Sequence, residues 1–298
     1  MMTAITCTAN EPQSSQKIQL SSSSFKVDLI VQPDHLLKEF GARFDRTAIV
    51  QQVEFNGKTF LTHAGLSDEF GLHGMGLRGF DEANPQTPFI KLGVGRLLRD
   101  EPGRYEFFHH YPIEQLAPVR ITARTNTSLT INQQLDDPDY GYSYHKTYRI
   151  DPNSPTLTIT YNMANTGKQI MLIEQYNHNW FNFANTPINT AYNVLGGFDL
   201  ICRPKPWFTQ RGRLLSLNQT ITKGEYTSSS CTCLPDNNWF KLSNDLTGMN
   251  VTISGDFPIS MLGFFVQDDA ICPEVHMTQF LARDQQWTWS RKYRFNTP

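Results

Sequence analysis

Polar and apolar residues alternate along residues 25–31, Phe-Lys-Val-Asp-Leu-Ile-Val, with the period of two that marks a half-buried strand. Residues 17–20 predict a short strand before it, separated by the serine run at 21–24. Pro33 ends the strand, and residues 34–40 fit one helical turn or a loop. Residues 49–55 predict the next strand, and Asn56-Gly57 is a strong hairpin signal from which residues 58–61 return. From residue 105 the pattern gives strand after strand, at 105–111, 119–125, 128–135, 142–150 and 156–163, with Pro, Asn, Asp and Gly between them. The turn Asn165-Thr166-Gly167-Lys168 leads into the apolar run 169–173. Beyond it Glu174, Tyr176, His178 and Trp180 alternate with Gln175, Asn177, Asn179 and Phe181, so a buried strand is expected to deliver His178. Residues 193–200 lead toward 213–217, and further strands are expected at 226–233, 238–242, 250–253, 261–266 and 287–295. No long amphipathic helix interrupts this spacing. The fold class expected is all-β, a large sandwich or barrel. With no charge break or linker, residues 1–298 are expected to form a single domain, loose over the first 15 or so.

Residues 62–104 break the pattern. They are rich in glycine and show little periodicity, as the stretch 71–89 illustrates. A long glycine-rich excursion beside regular strands suits the rim of an active site. Gly93-Val94-Gly95 lacks the third glycine and the strand-to-helix setting of a dinucleotide loop.

Composition narrows the function classes. Lys and Arg total 26 against 28 Asp and Glu, so the formal net charge of -2 gives no reason to expect a nucleic-acid partner. Aromatic residues make up 12%, which suits strands and sugar sites alike. The five cysteines, Cys7, Cys202, Cys231, Cys233 and Cys272, do not form a secreted disulfide framework. Cys231-Thr232-Cys233 is too tightly spaced for a zinc pair and has no second pair, so no metal site is expected. The N-terminus lacks a signal-peptide pattern, and no stretch approaches the eighteen or so apolar residues of a membrane span. These features predict a cytoplasmic protein without a membrane partner, a monomer or homodimer.

Amides and aromatics surround His178, a composition suited to holding a polyol, since amides both donate and accept and aromatic faces cover C–H patches. Three further segments carry candidate chemistry: Leu72-His73-Gly74, then Phe107-Phe108-His109-His110-Tyr111, and Cys272-Pro273-Glu274-Val275-His276. His109 and His110 would point to opposite sides of a strand, so one or the other faces a pocket. His276 would share the face of Glu274 if the strand continues. Arg43, Arg78 and Arg96 are alternatives for an anion contact, because a guanidinium is a rigid bidentate fork. Trp180 and Phe181 alternate, so one is core and the other a possible sugar platform.

His178-Asn179-Trp180-Phe181-Asn182-Phe183, Leu72-His73-Gly74 with Gly79-Phe80-Asp81, Cys272-Pro273-Glu274, Gly41-Ala42-Arg43-Phe44-Asp45 and the ending Trp287 through Phe295 lie in one order across nearly the whole chain. In that order they resemble the galactose mutarotase-like group, the aldose 1-epimerases and their relatives. The resemblance implies a β-supersandwich. It also implies Glu274 as the base, His178 as the acid at the ring oxygen, and His73 at the rim either sharing the charge or hydrogen-bonding the ring oxygen. The family's arginine precedes the rim histidine, whereas the Gly95-Arg96 pair follows His73. Asp199 and Asp236 are alternatives for the second carboxylate, and Asn177, Trp180 and His276 join the expected sugar contacts.

The implied reaction is interconversion of sugar anomers by ring opening, with a small-molecule sugar as partner and no cofactor. A carboxylate and an imidazole suit it, because both titrate near neutrality when tuned by their surroundings. A carbohydrate-binding protein of the same fold without turnover is the alternative, and a lyase or hydrolase on the same frame is another. A metal-dependent barrel enzyme would need His73, His109 or His110, His178 and a carboxylate to converge on one ion.

Overall fold

A computed structural model describes residues 15–71, 74, 76–197, 201–202, 207–232 and 238–298. Two ten-stranded antiparallel sheets and one three-stranded sheet make up nearly all of it. The first sheet runs in the order Gln16–Ser22, Phe25–Val31, Ala48–Phe55, Leu61–Phe70, Met171–Phe181, Ala270–Leu281, Met261–Gln267, Tyr226–Thr232 and Ile201–Cys202. The short strand Lys58–Thr59 pairs with Ala48–Phe55 through the expected Asn56-Gly57 turn. The second runs Phe208–Arg211, Leu214–Leu217, Tyr192–Gly196, Trp239–Asn244, Asn250–Gly255, Gln286–Asn296, Thr156–Asn165, Tyr142–Ile150, Ser128–Leu135 and Val119–Arg124. Thr87–Lys91, Gly95–Arg99 and Ile113–Leu116 form the small sheet, and Asp34–Phe40 is a short helix. This is the β-sandwich of large antiparallel sheets that the alternation predicts.

Burial follows from where each strand lies. Tyr142–Ile150 and Gln286–Asn296 alternate buried and exposed, as strands with one wet face do. Met171–Phe181 is buried on both faces over most of its length. One apolar core unites the inward faces of both large sheets, including Val27, Leu29, Leu129, Ile131, Leu157, Ile159 and Trp289. A smaller cluster of Phe80, Phe89, Val94, Leu97, Tyr105 and Tyr111 lies under the glycine-rich excursion.

Three expectations are corrected. Residues 62–70 belong to the strand Leu61–Phe70, not to the excursion. At Gly65 the chain takes a positive φ of 65° and passes so close to Val50 that a Cβ would overlap its carbonyl oxygen. Residues 105–111 form turns rather than a strand: Tyr105 and Tyr111 stack 5.3 Å apart, and the Tyr111 hydroxyl accepts the Glu106 N–H. The Glu274 segment is the middle of a twelve-residue strand, Ala270–Leu281, which Pro273 had masked.

Candidate active site

Three neighbouring strands bring the site together. Tyr176 pairs with Glu69 on one side and with His276 on the other. Residues in register share a face, so Glu69, Tyr176 and His276 point the same way, with His178 and Glu274 two residues on. Asp68, Gln175 and Asn177 therefore point the opposite way, into the sandwich.

On the outer face, the His178 imidazole lies between two carboxylates. Its Nε2 bonds to Glu69 Oε2 at 3.0 Å, and its Nδ1 lies 2.7 Å from Glu274 Oε1. The second contact is a short ion pair without the linear N–H···O geometry of a good hydrogen bond, and its Nδ1 is buried. Glu69 Oε2 also accepts from Arg43 Nε at 2.8 Å and from the Tyr176 hydroxyl at 2.5 Å. Phe44 meets His178 edge-on at 5.1 Å, and His276 stacks on Tyr176 at 4.2 Å. The Arg43 guanidinium lies 4.7–5.0 Å from the Phe44, Phe107 and Phe108 rings. Phe108 is 68% exposed above it.

The charges follow from this packing. Burial raises the Glu69 carboxyl, but the bond from His178 and the charges of Arg43 and Lys91 outweigh it and bring the group down to about 2. Burial disfavours a charged His178 ring, but Glu274, by charge and contact, and Glu69 outweigh it and raise the imidazole above its ordinary value. The two carboxyl groups thus favour the protonated form of the ring. Burial lowers Lys91 to about 8, against the pull of Glu69, and its Nζ donates to the Tyr105 hydroxyl at 2.6 Å.

His178, Cys272 and Glu274 offer three possible metal-ligand atoms within 4.8 Å of one another. Burial, then the Glu274 charge, push the Cys272 thiol well above its ordinary value. The thiol donates to Glu274 Oε1 at 3.4 Å and accepts the Asn179 N–H at 3.1 Å. In this packing the thiol serves as a hydrogen-bonding group between Asn179 and Glu274.

The structure gathers Arg43, His178, Glu274 and His276 at one place, with Trp180 beside them, its ring within 11° of parallel to that of His178 at 6.0 Å. Other expected residues lie elsewhere. Asn177 is a correction: its amide donates to Asp68 at 2.8 Å and accepts from the Tyr293 hydroxyl at 2.8 Å, inside the sandwich and behind His178. Arg96 pairs with Asp137 at 2.9 Å, and His109 bonds to Asp100 at 2.8 Å. His110 is exposed and packs on Gly41. Arg78 is buried and clamps a turn, donating from Nε to the Tyr140 carbonyl at 2.7 Å and from Nη2 to Asn165 Oδ1 at 3.0 Å. His73, Asp199 and Asp236 lie outside the described residues. Glu69 was not anticipated. The signal available was an acidic pair, Asp68-Glu69, between the apolar residues Leu66 and Phe70.

No protein-family model matches the chain, and no curated protein does. Solved structures do. The chain is similar to a putative aldose 1-epimerase from Escherichia coli K12, with 14% identity and a TM-score of 0.61, over 96% of this chain and 100% of that one. A galactose mutarotase related enzyme from Lactobacillus acidophilus gives 12% identity and a TM-score of 0.60, covering 95% and 98%. A galactose mutarotase-like protein from Clostridium acetobutylicum gives 11% and 0.59, covering 95% of each chain. The chain thus has the galactose mutarotase-like fold, as an outlying example of it. No helix among the described residues is long and apolar enough to cross a membrane.

Proposed function

We propose that this chain is an aldose 1-epimerase-like enzyme that interconverts sugar anomers by acid–base ring opening. The observation that carries the reading is the state of the His178 ring. Nε2 is anchored to Glu69, while Nδ1 lies 2.7 Å from Glu274 without a linear hydrogen bond of its own. The ring oxygen and the anomeric hydroxyl of an aldose are bonded to the same carbon. A neighbouring acid and base can therefore address both at once.

Glu274 takes the proton from the hydroxyl at C1. The Nδ1–H of the imidazolium protonates O5 as the C1–O5 bond breaks, giving the open-chain aldehyde. Rotation about C1–C2 presents the other face of the carbonyl. The O5 hydroxyl then adds back, returning its proton to Nδ1, while Glu274 reprotonates O1. Glu69 holds the second ring proton on Nε2 throughout, so Nδ1 is both the donor and the nitrogen left free to recover the proton. The bond from His178 and then the charge of Arg43 keep Glu69 ionised. The sequence of steps needs no metal or organic cofactor.

Polarimetry or exchange NMR with free aldoses and hexose phosphates tests this. The wild type should exceed the spontaneous rate, and Glu274→Gln and His178→Asn should each lose about 10²–10⁴-fold with the fold intact. Sugar binding without catalysis in the wild type would overturn the enzyme in favour of a carbohydrate-binding protein.

A further inference from the structure

Gly263 stands opposite Glu274 on the neighbouring strand, Met261–Gln267. Partners in register share a face, so any side chain at 263 would point the way Glu274 does. The next residues on that face of the strand, Met261 and Phe265, carry large side chains opposite His276 and Cys272. The backbone does not call for glycine here, because Gly263 is not among the residues with a positive φ. A strand interior favours alanine over glycine, which has more freedom to lose. Space explains the glycine instead. A Cβ at 263 would lie 3.1 Å from Glu274 Oε2 and 3.5 Å from both Glu274 Cβ and His276 Nε2.

The Glu274 carboxylate is held at one end only. Oε1 lies 2.7 Å from His178 Nδ1 and accepts from the Cys272 thiol at 3.4 Å. Oε2 leans over Gly263, and no donor among the described residues reaches it. The Glu274 side chain is 13% exposed against 4% for His178, so the pair meets solvent, and a substrate, through Glu274. A methyl group 3.1 Å from Oε2 is closer than a carbon and an oxygen ordinarily rest, so the carboxylate would have to turn. The group is rigid and planar, and moving Oε2 carries Oε1 off the imidazole. His276 cannot give way on the other side, because its ring is stacked on Tyr176 at 4.2 Å.

We infer that Gly263 is a positioning residue of this centre: by lacking a side chain it lets the Glu274 carboxylate lie across the neighbouring strand, with Oε1 on His178 and Oε2 turned to the substrate. The inference rests on the epimerase reading for its kinetic consequence alone, since the contact between Glu274 and His178 exists without turnover. Under that reading Oε2 is the oxygen that takes the proton from O1. Acid and base keep their spacing because nothing at 263 pushes them apart.

Gly263→Ala tests this in the full chain, alone and combined with Glu274→Ala, which removes the group that the methyl would strike. Burial opposes a charged His178 ring, and Glu274 is the largest influence that raises it, so NMR titration of the imidazole reports how closely the carboxylate lies. Gly263→Ala should move that titration to lower pH. Added to Glu274→Ala it should move nothing further, because the methyl then meets only His276, at an ordinary contact distance. In the anomer assay kcat should fall about ten- to a hundredfold with KM little changed, since a misplacement of about 1 Å can cost about 10²-fold. A Gly263→Ala chain that folds only when Glu274→Ala is added would locate the clash at Glu274 and support the inference. A folded Gly263→Ala protein whose His178 titrates as in the wild type overturns it. So does a shift or a loss of folding that persists in the Glu274→Ala background, which would place the strain in the strand itself. Absence of anomer interconversion in the wild type would count against the epimerase reading alone, and the titration would still decide the role of Gly263.

Discussion

Replacing Glu69 with glutamine tests the central arrangement most directly. The carboxylate accepts from Arg43, Tyr176 and His178, and it is fully buried. Glutamine keeps the shape but removes the charge, and it turns one acceptor end toward a ring of donors. Relative to an ordinary value of 4.5, a carboxyl held at about 2 ties roughly 3 kcal/mol of stability to its ionisation. Because the folded value is depressed, that contribution is present above the unfolded value and is lost as pH falls through about 2. The variant should therefore be less stable at neutral pH by a similar amount, and the gap should close on acidification.

The same substitution separates the role of Glu69 from simple packing. A hydrogen bond to a charged group contributes about 1.5–3 kcal/mol, so its loss should lower the His178 value toward that of an ordinary imidazole. His178 is raised in the folded protein, so its stabilising contribution is full below its ordinary value and fades as pH rises through the folded value. As the acid of the proposed reaction, His178 must be protonated, so the alkaline limb of kcat/KM should shift to lower pH in the variant. NMR titration of the imidazole and urea unfolding across pH provide the two readouts. A ring that titrates as in the wild type, in a variant equally stable at neutral pH, would refute the role given to Glu69.

Two further outcomes concern the opposite face of the same strand. Asn177→Ala should cost about 2 kcal/mol by thermal unfolding, because Asp68 and Tyr293 each lose a buried partner, while KM and kcat of the folded fraction stay near wild type. Lys146 lies 3.0 Å from Asp45 and 2.6 Å from Asp68, so Lys146→Met should cost about 3–5 kcal/mol at neutral pH in urea unfolding. That loss should shrink on acidification, because burial, with the neighbouring Asp68 charge, already raises Asp45 and its protonation relieves the repulsion.

What the sequence made legible depended on whether a strand had one wet face. The regular alternation of 25–31 and 142–150 gave those strands correctly, and the alternation around His178 placed it on a buried strand. Leu61–Phe70 is covered on both sides over most of its length and carries Gly65, so no alternation survives and Glu69 went unseen with it. In 105–111 the aromatic run has strand propensity, but Tyr105 and Tyr111 instead complete the small cluster with Phe80 and Phe89. Asn177 was misassigned for a different reason. Its amide suited a sugar, yet the alternation that put His178 on one face had already put Asn177 on the other.

The two faces of this strand also explain why its register is firmly specified. Asp68 and Glu69 are consecutive, and each anchors a different network. Asp68 gathers Lys146, Tyr161, Gln175 and Asn177 within the sandwich, and Glu69 gathers Arg43, Tyr176 and His178 outside it. A slip of one residue would turn Asn177 outward and His178 inward, stranding both sets of buried charges at once. Apolar strands covered on both faces carry no such penalty, because either face tolerates either set of side chains. The buried polar residues behind His178 thus act on the site through register: they determine which side chains reach Glu274, although none of them touches it.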